Sequence, residues 1–367
     1  MVALTAAERW DNAIVFLLRS DEPAIRRAAR RDLLGEREGA GDAGAAGVLS
    51  GPRVSALLAG QRPAGFRGGT GWRGWPGAGG GFGVHPYRKW AGAHWRLVSL
   101  VEMGIPAGEP RACLAAEQVL GWLARPERLR QVPVVDGLAR RCASQEGNAL
   151  AVCCRLGMAG DDRVAMLAEA LIGWQWPDGG WNCDLNATGR RSSFHESLPP
   201  AWGLHEYAAA TGHDGARRAA GRAAELFLSH RMFRSLSTGL PISASWLKLR
   251  YPPYWHYDIL QGSLIMTRLG RAADARLGDA AGLLAELQSA DGTWSAGGRW
   301  WKPAGSGRDG SRGLKAPDAE VADWGQAGPN EMITLNALRV LQAARHPAAA
   351  RRRGGSTRAT KQPGRPG

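Results

Sequence analysis

Cysteine, histidine and carboxylate side chains recur along this 367-residue chain just ahead of a series of apolar stretches. The groups are Lys89, Trp90 and His94; Cys142 and Glu146; His195 and Glu196; Tyr254, His256 and Asp258; and Asn330 and Glu331. Three kinds of chemistry suit them. A thiolate, an imidazole and a carboxylate at tetrahedral distance hold Zn²⁺ and leave a fourth position open. A carboxylic acid facing aromatic rings can protonate an alkene or epoxide while the rings hold the resulting cation. Helix N-termini flanked by basic side chains, here Arg88 and Lys89, favour an anion such as a diphosphate. All three need the groups to meet at one place.

The apolar stretches say how they could meet. Four helical segments end at a glycine, at Gly104, Gly157, Gly212 and Gly270, spaced 53, 55 and 58 residues apart, and Leu335 to Ala344 is a weaker fifth copy. Glycine there predicts a left-handed residue terminating each helix. A second helix series interleaves with the first. Its copies align at Gln61, Leu123, Gln175, Ser229 and Gln288, spaced 62, 52, 54 and 59. Two landmarks with one period predict units of two antiparallel helices and two loops, which bury their apolar faces only by stacking on neighbours.

Three helices of the second series end in a related phrase: Gln61 to Phe66, Gln175-Trp176-Pro177-Asp178-Gly179-Gly180-Trp181, and Gln288-Ser289-Ala290-Asp291-Gly292-Thr293-Trp294. Gln is expected to bond free carbonyls at the helix end, Asp-Gly to turn tightly, and Trp to close over the turn. These phrases resemble the QW repeat of squalene and oxidosqualene cyclases and of protein prenyltransferase β-subunits.

The resemblance implies an all-α fold, an α/α toroid of about six helix pairs whose inner helices line a central funnel. It covers residues 50–345, with 1–49 as an added N-terminal helical segment and 346–367 as a disordered basic tail. It also implies an isoprenoid or other apolar ligand, and for the prenyltransferases zinc and a helical partner subunit. Phe194-His195 stands where that family has a Tyr-His pair, which makes His195 a metal ligand beside Cys142. The family's Asp-x-Cys is replaced by Asp136 and Cys142, six apart, with Cys183-Asp184 as another source. On the cyclase side, Glu196 and Asp258, with His256, are the candidate catalytic groups, although the family's Asp-x-Asp-Asp is absent; Pro317-Asp318-Ala319-Glu320 does not match it. Arg88, Lys89, Trp90, His94, Trp202, Tyr254 and Trp255 are the candidate ligand contacts, and Trp95 offers a further aromatic face. A toroid that only binds a lipid or peptide is the alternative, since fold alone does not fix activity.

Composition bounds the remainder. Hydrophobic residues at 44% and charged residues at 22% permit a sizeable core, and 16 Trp against 6 Phe and 5 Tyr fit a recurring Trp motif. The net charge of +14 is concentrated in part at the C-terminus, where Arg351, Arg352, Arg353, Arg358, Lys361 and Arg365 have no acid among them. With no nucleic-acid-binding motif elsewhere, that tail is expected to be solvated, without a specific nucleic acid. Five cysteines without a CxxC pair point to a reduced, cytoplasmic protein. Glu8, Arg9 and Asp11 do not suit a secretory leader, and no stretch reaches about 18 apolar residues, so membrane contact is at most peripheral. Residues 63–83, with Trp72 and Trp75, and residues 295–330 are long irregular segments of the kind that often carries function.

Overall fold

The structure, a computed structural model, describes residues 4–36, 44–59, 85–299, 301–302, 320–325 and 327–346. The Gln61 phrase, the glycine-rich segment, Trp300, Asp318 and the basic tail beyond His346 lie outside the described residues.

The fold is all-helical with little sheet. In chain order the helices are α1 (Ala6–Leu18), α2 (Pro23–Ala29, continued by a π-turn Arg30–Leu34), α3 (Gly44–Leu49), α4 (Pro52–Leu58), α5 (Ala93–Glu102), α6 (Pro110–Leu123) and α7 (Pro126–Arg130). They continue as α8 (Ser144–Arg155), α9 (Asp162–Trp174), α10 (Phe194–Thr211), α11 (Asp214–Ser229), α12 (Ile259–Arg268), α13 (Gly278–Glu286) and α14 (Glu331–Arg345). A two-stranded hairpin, β1 (Val134–Val135) and β2 (Leu138–Ala139), precedes α8. Among the described residues no helix is long and apolar enough to cross a membrane.

Two burial patterns separate the helices. Every residue of α12 from Ile259 to Met266 is buried, as is every residue of α5 from Ala93 to Val101, and α8, α10 and α14 are buried on nearly all sides. Helices buried all round lie inside a fold. By contrast, α6 buries Ala112, Ala115, Ala116, Val119, Leu120 and Leu123, a single stripe at helical spacing, and α9 and α11 do the same. These are outer helices packed on one face.

The inner helices touch in a definite order. α5 packs on α8, α8 on α10, α10 on α12 and α12 on α14, and α14 also meets α2, which is buried on one face. Arg27 of α2 then donates to the Gly104 carbonyl at the end of α5, 3.4 Å away. The tightest contact joins α8 and α10. A Cβ on Gly147 would overlap the Pro200 nitrogen, and one on Gly203 would overlap the Gly147 carbonyl. Glycine is required at both places because backbone meets backbone.

The four predicted helix-ending glycines all adopt the left-handed conformation, with φ between 74° and 80°. The two described Trp phrases are built alike. Gln175 Nε2 donates to the Gly179 carbonyl (2.7 Å), and Gln288 Nε2 to that of Gly292 (2.9 Å). The indole N–H of Trp181 reaches the Leu171 carbonyl (2.9 Å), and that of Trp294 reaches Leu284 (2.7 Å). It is therefore Trp, and not Gln, that satisfies the outer helix's last turn. Each Trp backbone N–H donates to a hydroxyl on the next inner helix, Ser197 of α10 or Thr334 of α14. The first phrase lies against Arg222 of α11, and the second lies against Arg9 of α1.

Candidate functional site

Between α5, α8, α10 and α12 lies a cleft. Val98, Ser99 and Glu102 come from α5, Asn148 from α8, Leu198, Pro199 and Trp202 from α10, and Gln261, Ile265 and Arg268 from α12. The bent and turned segment Tyr251–His256, just ahead of α12, closes one side. Aromatic packing holds it there. Tyr254 stacks on Trp90 with ring centroids 4.0 Å apart, Trp95 meets both edge-on, and Lys89 Nζ sits 4.4 Å from the Trp255 ring centre. Trp301 donates its indole N–H to the Tyr251 carbonyl at 3.0 Å.

The floor is ionic. Arg268 Nη1 and Nη2 donate to Glu102 Oε1 and Oε2 at 2.7 and 2.8 Å. Beside this pair Arg155 bonds Glu206, and Arg339 bonds Asp32. Burial opposes ionisation of Glu102, but the charge and hydrogen bonds of Arg268, helped by Arg155 and Arg339, hold it below the usual carboxylate range. Trp202 donates to Glu206 at 2.8 Å and thereby presents its ring to the cleft. Neither Glu102 nor Arg268 was singled out from the sequence. A signal was present: Glu102, Arg155 and Arg268 each stand two residues before the terminal glycine of their helix.

The predicted residues distribute as follows. Trp202, Tyr254, Trp255 and His256 line the cleft. Trp90 and His94 are buried behind that lining, whereas Arg88 and Lys89 are exposed at its edge. Burial holds His94 and His256 down at about 3, so both are neutral. Asp258 does not line the cleft. Its carboxylate caps α12, accepting from the Gln261 N–H (2.9 Å) and the Arg250 N–H (3.1 Å), and burial raises it to about 7.

His195 and Glu196, neighbours in the first turn of α10, face different partners. His195 Nδ1 accepts the Tyr257 N–H at 2.8 Å, on the α12 side. Glu196 turns to α8, which has no side-chain cap of its own, and accepts the Ser144 N–H at 3.0 Å. There it meets two thiols. The ligand atoms of Cys142, Cys183 and Glu196 all lie within 4.8 Å of one another, a group that could hold a metal ion. The structure does not bring His195 into that group. The donor set fits the expected zinc, because two Zn–S bonds of about 2.3 Å at the tetrahedral angle put the sulfurs roughly 3.8 Å apart. The Cys142 thiol and Cys183 share a hydrogen bond that pushes Cys142 up and draws Cys183 down. Burial raises Glu196. Glu146, fully buried, is instead paired with Arg141 and Arg128.

No family model matches the chain, and no curated protein matches it. A solved structure described as a crystal structure of a protein from Actinoplanes is similar at 17% identity, covering 92% of this chain and 99% of that one, with a TM-score of 0.38. An overlap that loose carries no argument about fold or chemistry.

Proposed function

We propose that the chain is an α/α toroid of the QW-repeat superfamily, and that it binds an elongated apolar ligand of isoprenoid class in the central cleft. Five pairs fit the packing, α1 with α2, α4 with α5, α6 with α8, α9 with α10, and α13 with α14, while α11 lies against α9 and α10 and α12 against α10, α13 and α14. The order of inner contacts and the two equivalent Trp turns support closure of the series.

The observation carrying the ligand assignment is the lining. It combines Trp202, Tyr254, Trp255, Leu198, Val98 and Ile265, an aromatic and aliphatic surface of the kind that lines pockets for apolar ligands. Binding is favoured over transformation. Among the described lining residues the only carboxylate is Glu102, which Arg268 engages at both oxygens, and Asp258 is occupied as a helix cap. No acid among the described lining residues is poised to protonate an alkene.

Titration with farnesol, geranylgeraniol and squalene, read by quenching of tryptophan fluorescence, tests this. Saturable binding is expected, and Leu198→Trp, which fills the cleft, should abolish it in a protein that still melts cooperatively. Absence of saturation with all three ligands, or unchanged binding by the Leu198→Trp variant, would sink the proposal.

A further inference from the structure

The backbone holds Cys142, Cys183 and Glu196 together independently of any bound group. The Arg141 N–H donates to the Asn182 carbonyl at 2.9 Å, and Arg140 and Asn182 form a parallel bridge. Cys142 and Cys183 are each the next residue beyond that hydrogen bond, so the pairing of two segments about 40 residues apart sets the thiols side by side. The third ligand is fixed from the other direction. The Ser193 N–H donates to the Trp181 carbonyl (2.9 Å) and the Trp181 N–H to Ser197 Oγ (2.9 Å), which clamps the first turn of α10 to the loop carrying Cys183.

We infer that Cys142, Cys183 and Glu196 form a three-ligand site for a thiophilic divalent cation of the zinc class, with its fourth position left to water or an external donor. Two sulfur ligands disfavour Mg²⁺ and Ca²⁺, which take oxygen, and a tetrahedral S₂O set suits Zn²⁺ or Co²⁺. The charges also balance. Two thiolates, the Glu196 carboxylate and the neighbouring Glu146 carry −4; a divalent cation supplies +2, and Arg141 and Arg128, both paired with Glu146, supply +2. Arg141 is itself held in place by Glu146 at 2.5 Å. The inference does not depend on the apolar ligand: its test uses metal alone.

The full chain, purified reduced and stripped of metal, is titrated with Co²⁺ while the visible d–d and sulfur-to-cobalt charge-transfer bands are followed. One Co²⁺ per chain with the charge-transfer intensity of two thiolates is expected, and Zn²⁺ should displace it. Cys183→Ser should halve that band. Cys142→Ser and Glu196→Gln should weaken binding by roughly tenfold or more, and His195→Ala should leave it intact. The wild-type spectrum counts thiolates without any variant, so a Cys variant that fails to fold does not spoil the test. A folded wild type that takes up no Co²⁺, a spectrum with one thiolate or none, or loss of binding in the His195→Ala variant but not in Glu196→Gln would overturn the assignment.

Discussion

Glu102 and Arg268, 166 residues apart, form a two-point ion pair that ties α5 to α12 across the floor of the cleft. Both side chains are largely buried, so breaking the pair leaves a charge with nothing equivalent to replace its partner. Glu102→Gln is expected to cost about 3–5 kcal/mol in chemical denaturation. The double variant Glu102→Gln/Arg268→Gln should recover part of that loss, because neither charge is then stranded.

The same pair predicts acid sensitivity. The folded-state pKa of Glu102 is depressed, so its contribution is present above the unfolded carboxylate pKa and is lost as pH falls through the folded value. The stability difference between wild type and Glu102→Gln should therefore shrink in the acid range, read as converging denaturation midpoints below pH 4.

Asp258 should behave in the opposite sense. Its folded pKa is raised to about 7, so the folded state holds a proton that the unfolded state releases. Stability from this group falls as pH rises from about 4 to about 7 and levels off above that. Asp258→Asn, which can keep a capping oxygen, should gain on wild type across that window. Equal melting-temperature differences at pH 5 and pH 8 would refute the assignment.

Gly147 and Gly203 allow α8 and α10 to meet at the backbone. Gly147→Ala or Gly203→Ala should destabilise toward the upper end of the ~1–3 kcal/mol typical of overpacking, because rigid backbone atoms cannot yield. Since that contact sets the distance between the starts of α8 and α10, Gly147→Ala should also weaken Co²⁺ uptake.

Equivalence of the two Trp turns can be measured. Trp181→Phe and Trp294→Phe each remove an indole N–H bonded to a carbonyl of the preceding helix. Both should cost about 1–3 kcal/mol, since the carbonyl is left buried without a partner. Markedly unequal losses would contradict a shared structural role.

What the sequence made legible was local. The terminal glycines and the Gln-to-Trp phrases are short-range signals, and the four glycines and the two described phrases appear where the period placed them. The roles within the phrase were partly exchanged, because only the long indole reaches back to the residue four before Gln. Side-chain partners set by distant segments were not legible. Cys183 joins Cys142 through a backbone pairing with no signature of its own. His195 had the right chemistry but turns toward Tyr257, since adjacent residues on a helix face directions about 100° apart. Asp258 illustrates an ambiguity: an Asp opening an apolar helix suits a cap as well as an acid.

The contact of the last turn with the first helix has a consequence for how the chain is made. The turn at Gly292 rests on Arg9, and Arg345 lies over the Trp10 ring at 4.7 Å. α1 therefore leaves the ribosome without the surface it will bury against, and about 300 residues must follow before α14 appears, roughly 15–60 s at ordinary synthesis rates. Through that interval Ala13, Ile14 and Leu17 are uncovered on one side. Newly made α1 is where a chaperone would find its hold.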